Sequence, residues 1–475
     1  MKRFICLLTG VLLIFCCAVS FTGCSAQRGK EILKVYNWED YICDENDEAE
    51  GLKDLLSAFE KEYGVKVEYS TFGTNENMYN ELKINATGYD LVCPSDYMIM
   101  RMIKENMVEP FSKDFANGAY MKNVSPYLKN LFQTNGWEDY AAAYMWGTMG
   151  LVYNPKYVDE QDVNSWSALW LDKYANQSTI KDSVRDSYFL GLAYTAREEL
   201  NDLAEAYHSG NMEAVNYNAR LTEIMNRTDE DTLNAVKNDL ITLKKNLYGF
   251  EVDSGKVDVA SGKININFAW SGDAVVAMDE AEDVGTYLNY SIPKECSNIW
   301  FDGWVMPKGA NVALAEKFIN FISRPENAVC NMNYIGYTSA MAGDAVFDWV
   351  QECYGTDAED EGAVEYDLSY FFGEKKSIYV HKESTNRQIL AQYPTEDVIE
   401  RCAVMQYFDS ETDAAVNEMW EEIKGVPIPL WAYILIIVIA ALVLGIVLSY
   451  LYKGKVFEHK PKKGFRILEQ KAQKR

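Results

Sequence analysis

Apolar positions recur along the chain with two alternating periods. Ile32 to Tyr36 reads as a strand, after which Leu52, Leu55, Leu56, Phe59 and Tyr63 return at helical spacing until Gly64 ends the helix. Val65 to Phe72 predicts a second strand. Thr74 or Asn75 can cap a helix running to Lys83, Tyr89 to Cys93 is a short strand, and Pro94-Ser95-Asp96-Tyr97 opens the next helix. Further on, Lys263 to Ala269 alternates as a strand and runs into Trp270-Ser271-Gly272-Asp273 at a helix start. Trp304 to Met306 is another short strand after Asp302-Gly303, and a helix from about Ala313 to Ser323 ends before Pro325. Short β runs alternating with helices define an α/β architecture. The stretch from Glu31 to Lys424 contains no low-complexity linker and no repeat of roughly 20 to 50 residues, which argues against a solenoid. Its length suits two or three domains.

Both ends follow a different pattern. Lys2 and Arg3 precede an uncharged apolar stretch from Phe4 to Val19 and then Phe21-Thr22-Gly23-Cys24, the layout of an export signal over residues 1–23. The last four of these residues resemble a bacterial lipobox, with Phe21 where Leu is usual. That resemblance implies lipidation of Cys24, with 24–30 as an anchor linker. Leu430 to Tyr452 is 23 residues without a charge, long enough to cross a ~30 Å hydrocarbon layer as a helix. Trp431, Tyr433, Tyr450 and Tyr452 lie near its ends, where amphipathic rings prefer the membrane interface. The tail 453–475 carries nine Lys or Arg against two acids, so the expected topology puts it in the cytoplasm and the bulk outside, tethered to the cell membrane.

Without these basic ends, residues 4–452 hold 34 Lys plus Arg and 69 Asp plus Glu. Such a surface repels nucleic acid and attracts cations, although acidity also serves simple solubility. Six cysteines remain once Cys6, Cys16, Cys17 and Cys24 are set aside, with no CxxC pair among them. Export permits disulfides, but roughly 400 residues can bury a core without them, so free buried thiols and disulfides both stay open.

Enzymatic readings find little support. His459 lies in the basic tail, and His208 and His381 have no Cys or acid at metal-ligand spacing. GxSxG, HExxH, GxxxxGK[ST] and a strand-following GxGxxG are all absent, so neither metal nor cofactor is expected. A glycosidase carboxylate pair needs no motif and stays open as an alternative. What stands out is aromatic residues beside acids at strand ends: Trp38-Glu39-Asp40-Tyr41, Ser95-Asp96-Tyr97, Trp270-Ser271-Gly272-Asp273 and Trp300-Phe301-Asp302. Ligands of open α/β sheets sit outside such ends. The pairing suits an extended organic cation, because carboxylates satisfy each buried ammonium while aromatic faces cover the methylenes between them.

Six segments make a resemblance specific: Val35-Tyr36-Asn37-Trp38-Glu39-Asp40-Tyr41, Tyr69-Ser70-Thr71-Phe72 with Asn75-Glu76-Asn77-Met78-Tyr79, Tyr89-Asp90-Leu91-Val92-Cys93-Pro94-Ser95, Tyr144-Met145-Trp146-Gly147, Ile299-Trp300-Phe301-Asp302 and Ile335-Gly336-Tyr337. Together, over about residues 31–424, they resemble the bacterial spermidine/putrescine-binding proteins. The resemblance implies a two-lobed type II periplasmic-binding-protein fold that closes on a polyamine and delivers it to the permease subunits of an ABC importer with a separate ATPase, without catalysis. Lobe I would comprise 31–143 and 303–345, and lobe II 144–302 and 346–424. The implied ligand residues are Trp38, Asp40, Tyr41, Ser95 and Tyr97 from the first lobe, Trp270, Trp300, Asp302 and Tyr337 from the second lobe and crossover, and Asp186. Asp302 would be the main ammonium acceptor.

The chain departs from that family's pattern in places. Asp40 stands where many relatives have Glu, the usual acidic pair appears as Ser183 and Asp186, so that one carboxylate is missing unless Asp182 rotates in, and Met405 falls at or beside a late amide ligand. These changes leave the choice among putrescine, spermidine and spermine open. A receptor for another small solute and a sensory ectodomain remain the competing readings.

Overall fold

The computed structural model describes residues 30–47, 49, 51–425, 438–439 and 441–449. The export signal, Cys24, the basic tail and most of the 430–452 run lie outside these residues. The described residues up to Ile423 form one compact unit.

Its first half winds β1 (Ile32–Trp38), α1 (Leu55–Tyr63), β2 (Lys66–Phe72), α2 (Asn75–Ile84), β3 (Leu91–Val92) and α3 (Asp96–Lys104). Each helix boundary has a local cause. Asp54 caps α1 through the Ser57 amide and Gly64 ends it at φ 69°, where glycine pays no steric penalty. Thr74, not Asn75, caps α2. Strands β2 and β3 both pair parallel to β1.

Two long strands then cross the molecule. β4 (Ala141–Tyr153) and, much later, β8 (Ser297–Pro307) are buried at every residue and pair antiparallel. Between them in the chain come β5 (Ser178–Lys181), α4 (Val184–Thr195), β6 (Gly249–Glu251), β7 (Ile266–Trp270) and α5 (Ser271–Asp283). The sheet order is β2-β1-β3-β8-β4-β7-β5-β6. Parallel pairing holds within each half, β1–β2 and β1–β3 on one side and β5–β6 and β5–β7 on the other. The β4/β8 pair therefore joins two α/β halves. Its register slips between Asp302 and Gly303, a bulge that re-aims the chain there.

Core packing divides along the same pair. Ala141 to Trp146 pack with the first half and Met149 to Tyr153 mostly with the second, while on β8 Trp300 belongs to the second cluster and Ile299, Phe301, Trp304, Val305 and Met306 to the first. The segment 346–424, expected wholly in lobe II, divides as well. Val346, Phe371, Val380 and Tyr393 pack in the first cluster, and Met405, Phe408, Val416 and Trp420 in the second. The hairpin Ala363–Asp367 with Ser377–His381 has one apolar face, Tyr366, Ile378 and Val380, which is buried in the first half. All six cysteines beyond the N-terminal segment are free thiols; Cys43, Cys93, Cys296 and Cys330 are buried.

The second unit begins at Lys424. Residues 438–439 and 441–449 are helical, with exposed apolar side chains such as Leu442, Leu444 and Ile446. Among the described residues no helix is long and apolar enough to cross a membrane.

Candidate ligand site

The carboxyl ends of the parallel strands converge on the bulge in β8. From β1 the chain passes through Asp40, at φ 50°, into Tyr41; from β3 it passes through Pro94 to Ser95 at the start of α3. Tyr41 Oη donates to Asp302 Oδ2 at 2.7 Å and Ser95 Oγ donates to Asp302 Oδ1 at 2.7 Å. Ser95 occupies the N-cap position of α3 but makes no side-chain cap, because its hydroxyl is committed to Asp302. Its own position is fixed by Asn75, whose Oδ1 accepts from the Ser95 amide at 3.0 Å and whose Nδ2 donates to Ser95 Oγ at 3.1 Å.

Asp302 is 7% exposed. Burial pushes its carboxyl up to about 6, the hydrogen bonds from Ser95 and Tyr41 pull it back, and the negative charge of Asp186 adds to the rise. Asp186 lies in the first turn of α4. Burial raises its carboxyl too, against hydrogen bonds from Ser183 and Trp270 and the positive charge of Lys181. Among the described residues neither Asp302 nor Asp186 makes an ion pair.

Aromatic rings surround the two carboxylates. Tyr337 meets Tyr41 edge-on at 5.4 Å and lies 5.7 Å from Trp300, whose Nε1 is spent on the Thr148 carbonyl at 3.2 Å. Tyr337 and Tyr97 pack against both core clusters, so they stand where the two halves meet. Glycine is required at two close approaches. A methyl group at Gly147 would overlap Ser271 and Trp300, and one at Gly272 would overlap the Tyr337 ring.

Tyr41, Ser95, Asp302, Trp300, Tyr337, Asp186 and Trp270 thus form one connected arrangement. Tyr97 flanks it, donating to Glu76 at 3.1 Å with the Arg185 guanidinium 4.4 Å over its ring. Trp38 packs on Phe72 at 4.6 Å. Asp40 is not brought to Asp302: it is exposed, and its left-handed backbone turns the chain so that Tyr41 enters instead. Asp40 lines a recess with Glu39, Asp44, Tyr69 and Tyr334.

Sequence reasoning missed the polar framework around these residues. Asn75 reads as a helix cap, and Arg185, buried against Phe408 at 3.8 Å, reads as a surface residue of a helix. Lys181 also goes unseen. It ends β5 at 1% exposure, donating to Asp273 Oδ2 at 2.8 Å and Val252 O at 2.8 Å, with Glu251 Oε1 at 3.2 Å. Burial works against its ammonium, but the charges of Asp273 and Glu251 more than offset this and hold its pKa above the ordinary lysine value.

Aromatics around the buried Asp302 and the half-buried Asp186, at strand ends where two α/β halves meet, suit a solute receptor. The chain belongs to the bacterial extracellular solute-binding proteins, whose family profile matches residues 54–352. It is therefore a binding protein and not an enzyme, with the two-lobed periplasmic-binding-protein fold and an extracytoplasmic place of work. It is 31% identical over 320 residues to the spermidine/putrescine-binding periplasmic protein of Salmonella typhimurium, a match covering 66% of this chain and 80% of that one. The putrescine-binding periplasmic protein PotF of Escherichia coli is 29% identical over 333 residues, 68% of this chain and 81% of that protein. Among solved structures, the spermidine/putrescine ABC transporter substrate-binding protein PotD of Streptococcus pneumoniae aligns with a TM-score of 0.56 at 27% identity, covering 83% of this chain and 98% of that one.

Proposed function

We propose that this receptor captures a linear polyamine between its lobes and hands it to the permease subunits of an ABC importer driven by a separate ATPase. The observation that carries the reading is Asp302: a buried carboxylate, held by two hydroxyl donors and ringed by aromatics, is a seat for an organic ammonium. In this reading Asp302 and Asp186 each accept from one ammonium, and Trp270, Trp300 and Tyr337 cover the methylenes. Tyr41 and Ser95 aim Asp302, Tyr97 and Trp38 wall the first-lobe side, and Asp40 stays at the rim. We assign the lobes by core packing, residues 31–146 and most of 303–399 to one and 148–298 with 403–423 to the other, Ile299 and Trp300 dividing between them. The crossing pair β4/β8 serves as the hinge of a type II fold.

Calorimetric titration of residues 31–424 tests this. Putrescine and spermidine are expected to bind one per protein, and 1,4-butanediol, of the same length without charge, is expected to give no heat. Binding of the diol as tightly as the diamine would assign the site to another solute class.

The same reading tethers the receptor at both ends, through lipidated Cys24 and a membrane helix over 430–452, with the tail 453–475 in the cytoplasm. Its support is the uncharged 23-residue run and the nine basic residues after it. Protease added to intact cells is expected to remove the large domain and spare a C-terminal tag. Loss of the tag from sealed cells would overturn this topology.

A further inference from the structure

The surroundings of the Lys181 ammonium are those a free alkylammonium would need. Asp273, Glu251 and the Val252 carbonyl take its hydrogen bonds, and the Trp270 ring lies 4.2 Å beneath it. The pocket is itself braced. Glu251 also accepts from the Gly255 amide at 2.9 Å and from Asn267 at 3.1 Å, and Asp273 accepts from Tyr337 at 3.1 Å and pairs with Lys256 at 3.6 Å. Two carboxylates, a carbonyl and a tryptophan face satisfy three N–H donors and one apolar stem.

We infer that Lys181 is a built-in cation that occupies the ammonium seat beyond Trp270, ends the ligand site there and selects a diamine over a triamine. The inference rests on the polyamine reading above and deepens it. Trp270 is shared: Lys181 stands over its face while its indole N–H serves Asp186, so a ligand ammonium at Asp186 already lies next to the lysine. A chain continuing past Asp186 would bring a third ammonium against Lys181, and like charges set together in a dry site repel strongly. Lys181 and Lys256 also neutralise Asp273 and Glu251. Asp302 and Asp186, by contrast, make no ion pair among the described residues, two charges for the two ammoniums of a diamine. Ser183, beside Asp186, offers that end no further charge.

The test is competition between putrescine and spermidine on the parent and on Lys181→Met, with the exposed Lys294→Met as control. The parent is expected to favour putrescine or bind the two about equally. Lys181→Met, which frees Asp273 and Glu251, is expected to shift the ratio toward spermidine by about tenfold or more. If the buried carboxylates prevent Lys181→Met from folding, Lys181→Ala refolded with ethylammonium, which supplies the missing group, keeps the measurement possible. There spermidine should displace ethylammonium and putrescine should not. A ratio unchanged within about twofold in the variant, or a parent already preferring spermidine about tenfold, overturns the assignment of Lys181 while leaving polyamine binding intact. A parent that binds neither amine overturns the polyamine reading itself, and this inference with it.

Discussion

Asp302→Asn is expected to weaken diamine binding about 30-fold to several thousand-fold, the range for removing one partner of a buried, hydrogen-bonded charge pair. The substitution keeps the shape of the side chain, and the Tyr41 and Ser95 hydroxyls can turn to serve an amide, so the cleft should survive it. Stability should change in the opposite sense. Burial lifts the Asp302 carboxyl to about 6 in the folded chain, above its ordinary value near 3.8. Keeping it ionised at neutral pH therefore costs the fold about 2 to 3 kcal/mol, a penalty that fades as pH falls through 6. Asn carries no such cost, so a thermal midpoint at or above the parent's should accompany the lost affinity. The exposed Glu68→Gln serves as a neutral control; Glu62 does not, because its carboxylate grips Arg324 through two bonds. Affinity within about threefold of the parent would move the main ammonium acceptor elsewhere, with Asp186 the next to test.

The second large effect is in pH. An ammonium needs the ionised carboxylate, so affinity should be flat from pH 8 to 7 and fall as pH drops through about 6, approaching a tenfold loss per unit. Between pH 7.5 and 4.5 the loss should be on the order of 30-fold from Asp302 alone. The neighbouring acids act in the same sense, since burial raises Asp186 and also Asp96, which lies in the field of Asp302. Calorimetry or ligand-dependent thermal shift across this range reads the slope. Asp302→Asn should leave only the shallower slope carried by the remaining acids; a parent with no slope between pH 7 and 5 would show that Asp302 does not carry the ligand.

Much of the first half was legible. Alternation gave β1 and β2, the Leu52 to Tyr63 spacing gave most of α1, and Thr74, Gly64 and Pro94 marked real boundaries because caps and breakers act locally. The crossing strands were not legible. β4 was not foreseen, and only Trp304 to Met306 of β8 was, since a strand buried on both faces shows no alternation and β4 is rich in Ala and Gly. The segments holding Tyr41, Ser95 and Asp302 stand out as aromatics beside acids at strand ends, and the resemblance gives these residues their expected ligand roles. Asp40 was grouped with them because sequence adjacency does not reveal that φ 50° turns it outward. Lys181 was invisible for the converse reason: a lysine at a strand end reads as solvated until Asp273, 92 residues on, is seen to meet it.

The position of β8 in the sheet also governs when the molecule can become native. Thr148 pairs with Ile299 and Val92 with Val305, so the strand between β3 and β4 is supplied about 150 to 210 residues later in the chain. The strands of each half pair among themselves without β8, but the two halves cannot join into one sheet until that segment arrives. A chain emerging across a membrane with its N-terminus leading would thus be expected to join its two halves only after residue 307 has emerged.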